Sequence, residues 1–291
     1  MSFGILTSAI KSDYLKAIGL VLSLKVSNPG VPVAIVCPKS IRYLVEPYFD
    51  YVVDEDPSFK GFEHKVNLDR YSPFDETLFL DSDILVFREV KPFLDTWGKA
   101  PYAACGHYAI DGFSSFGLDV KKILKLVAKD RFVKIEGVGH GLFRKPECTE
   151  FFDCAREITK NYSYYAGNLK YADEDAVSIA MTMMNYEHAP WGEFFSRYMS
   201  AKPGTMRMNA VKGECKFIHC DTNEPYSPCT MHFARDEAAL SYTWQLYKLY
   251  KHFNVPTDGL FKFALIGFYK SDIKLRLHQY KKRMKQILGL V

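Results

Sequence analysis

The stretch TLFLDSDILVF at residues 77–87 decides how this chain is read. Leu78, Phe79 and Leu80 have the length and composition of a buried strand. The run meets two carboxylates one residue apart, Asp81 and Asp83, and turns apolar again at Ile84, Leu85 and Val86. Acids flanked by apolar residues on both sides carry a desolvation cost, and buried charge is either paired or bound to a metal. Two carboxylates this close also repel, which a divalent cation relieves, and hard oxygen ligands favour Mg2+, Mn2+ or Ca2+. The other reading is a pair of turn aspartates in a strand-to-strand connection, and the spacing alone leaves both open. The same spacing recurs at Asp54/Asp56 and Asp173/Asp175. The first runs into Pro57 and Ser58 and reads as a solvated loop. The second opens AVSIAMTMM, where first-turn acids are ordinary.

Outward from that stretch, the first half alternates strand and helix signals. FGILTS, VPVAIVC, YVV, TLFL and PYAACGHY read as strands. Helical spacing runs through DYLKAIGLVLSLKVS, with NPG at 28–30 as its stop, through IRYLVEPYF, and around Val90–Trp97. Near-continuously apolar strands alternating with helices predict an α/β fold with a mostly parallel sheet covered on both faces. An Asp-x-Asp at the carboxyl end of such a strand sits where ligands bind in open α/β sheets. Further on, helices are expected at 119–130, 149–161 and 173–185, strands in GHGLFRK, KFIHC and TMHFA, and mainly helix after His232.

With 291 residues, 48% hydrophobic and 25% charged, the chain has the composition of a globular protein with a sizeable core. No apolar run of 18 residues is present, and MSFGILTS leads into a strand without a basic leader, so a cytoplasmic location is expected. Seven scattered cysteines without a CxxC pair argue against a disulfide scaffold or zinc ribbon. The net charge of +4 is uneven: from Phe261 onward eight basic residues face Asp272 alone. There Ile273, Leu277, Tyr280, Met284, Ile287 and Val291 recur at helical spacing with basic residues between them. Such a basic amphipathic helix either lies on the inner face of a membrane through 270–291 or packs on its own domain with a solvated basic face. Nucleic-acid binding is not expected, because no recognised module accompanies the basic stretch.

The segment KVNLDRYSPFDETLFLDSDILVF resembles the nucleotide-sugar-binding segment of GT-A-fold retaining glycosyltransferases, the family that includes glycogenin and the bacterial lipopolysaccharide glucosyl- and galactosyltransferases. Lys65 precedes Asp81 by 16 residues, with the helix and strand of the family's pattern between them. FGILTSAIKSDYLKAIGLVLSL is similar to the family's first strand and helix, GVGHGLFRKPE to its Asn-Ser/Ala-Gly segment, ADEDAVSIAM to its Asp-Gln motif, and MHFA to its His-Phe/Tyr motif. The resemblance covers roughly residues 2–235 and departs from the pattern in three places. No asparagine stands near Gly139–His140, Glu174 replaces the glutamine, and Arg235 and Asp236 follow the histidine where Gly-x-x-Lys-Pro-Trp is common.

The resemblance implies a GT-A domain over 1–235 with a helical extension over 236–291. It implies that Asp81, Asp83 and His232 hold Mn2+ or Mg2+, with His219 a rival for the histidine. Thr7, Ser8, Ala9, Tyr14, Lys65, Ser82 and Arg235 would contact the nucleotide, Lys65 as a point charge on phosphate. Asp173 and Glu174 are the catalytic candidates, able either to form a covalent intermediate or to stabilise oxocarbenium-like charge. The expected activity is transfer of a hexose from a nucleotide sugar, a UDP-sugar first, to a glycan or glycolipid acceptor with retention of configuration. A nucleotide-sugar binder without turnover is the alternative. A sugar-nucleotide pyrophosphorylase lacks support, because no Gly-rich basic phosphate loop follows the first strand of this sequence.

Overall fold

The computed structural model describes residues 2–135, 141–190, 230–232 and 236–256, together with Leu277, Tyr280, Lys281 and Met284. Its strands are β1 (Phe3–Ser8), β2 (Val33–Cys37), β3 (Tyr51–Asp54), β4 (Glu76–Phe79), β5 (Ile84–Val86), β6 (Tyr102–Ala103), β7 (Gly106–Ala109), β8 (Phe132–Ile135), β9 (Gly141–Arg144) and β10 (Thr230–His232). Its helices are α1 (Tyr14–Ser27), α2 (Arg42–Val45), α3 (Leu68–Tyr71), α4 (Lys91–Leu94), α5 (Val120–Val127), α6 (Thr149–Lys160), α7 (Tyr162–Ala166), α8 (Asp173–Met183) and α9 (Asp236–His252). A 3-10 helix, Gly61–Asn67, precedes α3.

Two compact units are formed. The first draws on Met1–Tyr14, Gly30–Ser82 and Val90–Gly192, the second on Leu15–Pro29, Asp83–Glu89 and Glu193–Val291, as far as these are described. The first unit holds a six-stranded sheet in the order β3-β2-β1-β4-β9-β6. The first four strands are parallel, and β9 runs antiparallel to β4 and β6. Strands β1 and β2 are buried along almost their whole length, as parallel strands covered on both faces must be. Aromatic packing fills one layer: Tyr102 stacks on Phe151 at 3.9 Å, and Phe152 meets Phe143 edge-on at 5.2 Å. A two-stranded antiparallel ribbon of β7 and β8 lies beside α8. There the Thr182 and Ser178 hydroxyls accept from the Val133 and Ile135 amides, at 2.9 and 3.2 Å, so a helix supplies the acceptors that a third strand would.

In the second unit, β5 and β10 pair antiparallel. Helix α1 is buried from Ala17 to Leu24. The Ser23 hydroxyl accepts from the Val86 amide at 3.0 Å, and the Tyr250 hydroxyl donates to the Leu15 carbonyl at 2.7 Å.

The predicted strands and helices in the described residues are present, with three refinements. PYAACGHY divides into β6 and β7, because only the first half joins the main sheet. The helix expected around Val90–Trp97 is α4 followed by a 3-10 turn. Strands β5 and β8 and helix α7 are additions. The expected KFIHC strand, with His219, lies outside the described residues.

Candidate active site

The sheet order supplies the first element of the site. Strand order runs 3-2-1 and then jumps to 4, so β1 and β4 flank a topological switch point, whose carboxyl end is the ligand-binding crevice of open α/β sheets. The Leu80 amide donates to the Leu6 carbonyl at 2.9 Å and brings the end of β4 beside the end of β1. Thr7, Ser8 and Ala9 therefore lie across from Asp81. Thr7 is fully buried, and its hydroxyl has no partner among the described residues. Ser8 is half-buried at the strand end, and Tyr14 opens α1 half-buried, its amide donating to the Ile10 carbonyl.

The second element is a cation held between two carboxylates. Lys65, on the 3-10 helix, places Nζ 2.8 Å from Asp81 Oδ1 and 3.5 Å from Asp173 Oδ2. The three side chains come from a helix, a strand end and the start of α8, and each is about one-fifth exposed. Burial alone would lower the Lys65 pKa, but the Asp81 and Asp173 carboxylates more than offset it and hold the ammonium above the usual lysine range. Burial raises the Asp173 carboxyl, against the pull of Lys65. Glu174 is buried next to it, and Asp173, Glu174 and Asp175 all fall in the first turn of α8, where the helix dipole favours negative charge.

Sequence reasoning missed the shell behind this trio. Asp175 is fully buried and accepts from the Tyr162 hydroxyl at 2.8 Å. Burial raises the Tyr102 phenol, with the Asp173 charge adding to it. A Cβ on Gly141 would come within 2.7 Å of the Tyr102 hydroxyl, which gives a steric reason for glycine at the centre of GHGLFRK. Among many tyrosines, these carry no sequence signal of their own.

Asp81, Ser82 and Asp83 form the turn between β4 and β5, and all three are half-buried. The antiparallel ladder of β10 on β5 sets His232 opposite Ile84, one residue beyond Asp83. Carboxylates on such a turn are hard oxygen donors of the kind that divalent cations take. Among the described residues no cluster of three or more His, Cys, Asp or Glu side chains is gathered at one point. Arg235 and the Gly139–His140 segment lie outside the described residues. The Asp54/Asp56 pair has a local role: Asp54 pairs with Arg42 at 3.1 Å, and Asp56 accepts from the Ser58 amide. A cavity of about 500 Å3 opens at the opposite end of the sheet, where Glu76 and Arg144 pair with each other at 2.7 Å.

No family model and no curated protein matches the sequence. Solved structures do. The galactosyltransferase LgtC, in complex with donor and acceptor sugar analogs, is 14% identical, with 86% of this chain and 95% of that chain covered and a TM-score of 0.57. The glycosyltransferase GlyE of Streptococcus pneumoniae TIGR4 is 13% identical, with 87% of this chain and 63% of that chain covered and a TM-score of 0.51. The bifunctional glycosyltransferase WbbM is 12% identical, with 86% and 51% covered and a TM-score of 0.51. At such identities the likeness is one of fold. The mixed, mostly parallel six-stranded sheet with its switch point between β1 and β4 is the GT-A fold of these glycosyltransferases.

Proposed function

We propose that this protein is a metal-dependent glycosyltransferase that moves a hexose from a nucleotide sugar, a UDP-sugar, to a glycan or glycolipid acceptor with retention of configuration. The observation that carries the reading is the Lys65–Asp81–Asp173 cluster at the carboxyl ends of the switch-point strands. A lone ion pair there would be structural. One ammonium shared by two carboxylates, partly open to solvent, offers a donor and several acceptors to a polyhydroxylated ligand. The Lys65 charge also suits the phosphate end of the donor.

In this reading Thr7, Ser8, Ala9 and Tyr14 contact the base and ribose, with Ser82 and Arg235 toward the diphosphate. Asp81, Asp83 and His232 would hold Mn2+ or Mg2+. A divalent cation bound there supplies charge neutralisation for a departing diphosphate. Asp173 and Glu174, at the start of α8, stabilise positive charge developing on the sugar. Burial raises the Asp173 carboxyl, and the Lys65 ammonium opposes that rise. Residues 1–235 form the catalytic domain and 236–291 an appended helical part. Leu277, Tyr280 and Met284 are helical with exposed side chains, consistent with peripheral membrane contact through that part.

Calorimetric titration with UDP and GDP, each with Mn2+ and with EDTA, tests the proposal on wild type and Asp83→Ala. The expected result is Mn2+-dependent binding of UDP that Asp83→Ala abolishes, together with release of UDP from a UDP-hexose in the presence of acceptor. Binding of neither nucleotide would reduce the glycosyltransferase reading to a likeness of fold. Binding without turnover over a broad donor and acceptor panel would leave a nucleotide-sugar binder.

A further inference from the structure

The loop between β7 and α5 presents large apolar side chains to solvent. Ile110 is 68% exposed, Phe113 64% and Phe116 51%. Leu169, itself exposed, lies beside Gly117. Apolar side chains on a floppy loop would fold inward or average out, but this loop is fixed. The Ser114 hydroxyl accepts from the Phe116 and Leu118 amides at 3.2 and 3.0 Å. The Ser114 amide donates to the Leu118 carbonyl, the Val120 amide donates to the Gly112 carbonyl, and Phe113 bridges Asp119. Gly112 and Gly117 take positive φ values of 82° and 91°, which other residues rarely adopt. Leu118, buried to 1%, anchors the loop from below. The chain thus holds three bulky apolar groups outward in one geometry.

The charge around the loop has one dominant sign. Lys121, Lys122 and Lys125 share the exposed face of α5, which begins at the base of the loop, and exposed Lys170 follows Leu169. The two exposed acids of the loop are engaged locally: Asp111 faces Lys121 at 3.8 Å, and Asp119 caps α5 by accepting from the Lys122 amide at 3.1 Å. A protein partner of ordinary composition explains the apolar patch but not the lysine collar. An apolar wedge ringed by lysines is complementary to a bilayer with anionic headgroups, where the side chains enter the acyl boundary and the ammonium groups meet phosphate.

We propose that the Ile110–Gly117 loop and the lysine face of α5 form a docking surface for anionic phospholipid membranes. The proposal concerns residues other than 270–291 and does not depend on the glycosyltransferase reading. The test is co-sedimentation of the full chain with vesicles of phosphatidylcholine alone or with about one-third phosphatidylglycerol. Three proteins are compared: wild type, the variant carrying Ile110→Ser, Phe113→Ser and Phe116→Ser, and the variant carrying Lys121→Glu, Lys122→Glu and Lys125→Glu. Circular dichroism and thermal melts verify folding, and the lysine variant keeps the test decisive if the apolar variant does not fold.

Wild type should bind the anionic vesicles and weaken in high salt, and each variant should lose on the order of tenfold in partitioning. Unchanged binding in a folded variant overturns the proposal. So does equal binding to neutral and anionic vesicles, a dimer in solution that the apolar variant dissolves, or a variant that keeps vesicle binding and loses only acceptor-dependent turnover. The last outcome would assign the loop to the acceptor.

Discussion

Lys65 is the residue on which the most structure converges. Its ammonium holds together two carboxylates that would otherwise repel across a partly dry site. Lys65→Met leaves Asp81 and Asp173 facing each other uncompensated. The expected cost is about 1–3 kcal/mol of stability, below that of a fully buried pair because the groups keep some solvent. Catalytic turnover with a sugar-nucleotide donor should fall far more steeply, and Lys65→Arg should restore stability better than turnover. Urea unfolding read beside donor turnover checks both, and wild-type stability in Lys65→Met would contradict the cluster. The sequence marked Lys65, Asp81 and Asp173 as separate candidates. It did not show that one lysine serves both acids, because that junction joins residues more than a hundred positions apart and depends on how the start of α8 meets the end of β4. Tyr102 and Tyr162 were illegible for a different reason, since their role is set by burial and partner.

Among the elements, those with a strong local period were legible and those defined by a partner were not. Helices α1, α5 and α6 carry apolar spacing, and the parallel strands carry continuous apolar runs. Strand β8 has two well-buried positions, Phe132 and Val133, and exists through pairing with β7 and the hydroxyls of α8. Strand β5 followed the aspartates as a plain apolar run, and its identity as a strand comes from β10. Helix α1 offers a test at this scale. A Cβ on Gly19 would lie 2.2 Å from Leu246 Cδ1 on α9 and 3.5 Å from Leu85 Cδ2. Gly19→Ala gains about 1 kcal/mol in helix propensity. It also drives a methyl into a side chain that is itself fully buried, and overpacking of this kind costs about 1–3 kcal/mol. The single variant should therefore be destabilised. Adding it to Leu246→Ala should instead stabilise, because the methyl then fills the space that was opened. A thermal-melt double-mutant cycle reads the sign change, and additive effects would sink this account.

For the molecule as a whole, pH dependence exposes what the buried acids contribute. Burial raises the Asp175 carboxyl, while the Ser114 and Tyr162 hydroxyls pull it down only in part. A raised value in the native state means that folding binds this proton more tightly than the unfolded chain does. The stabilisation is fully present below the ordinary carboxylate value of 3.8 and is lost as pH climbs through it toward the raised native value. Asp173 shifts in the same direction. Asp175→Asn, which keeps an acceptor for Tyr162, should flatten the decline without abolishing it. Urea midpoints measured across the acidic range decide the matter, and an unchanged slope would show that Asp175 does not titrate as described.

The two ends of β4 are pinned independently. The Asp75 and Glu76 amides both donate to the Ser2 carbonyl, at 3.1 and 3.0 Å, and the Leu80 amide donates to the Leu6 carbonyl at 2.9 Å. A strand clamped this way tolerates substitutions singly, each one altering its own contacts. Loss or gain of one codon within residues 76–80 would exchange the inward and outward faces along the whole strand and carry Asp81 out of reach of Lys65. The exposed turn at Asp56–Ser58 lies outside the strands of the sheet and sets no register there. Length variation among descendants of this gene should therefore accumulate in turns of that kind and spare β4, even where the identity of its residues drifts.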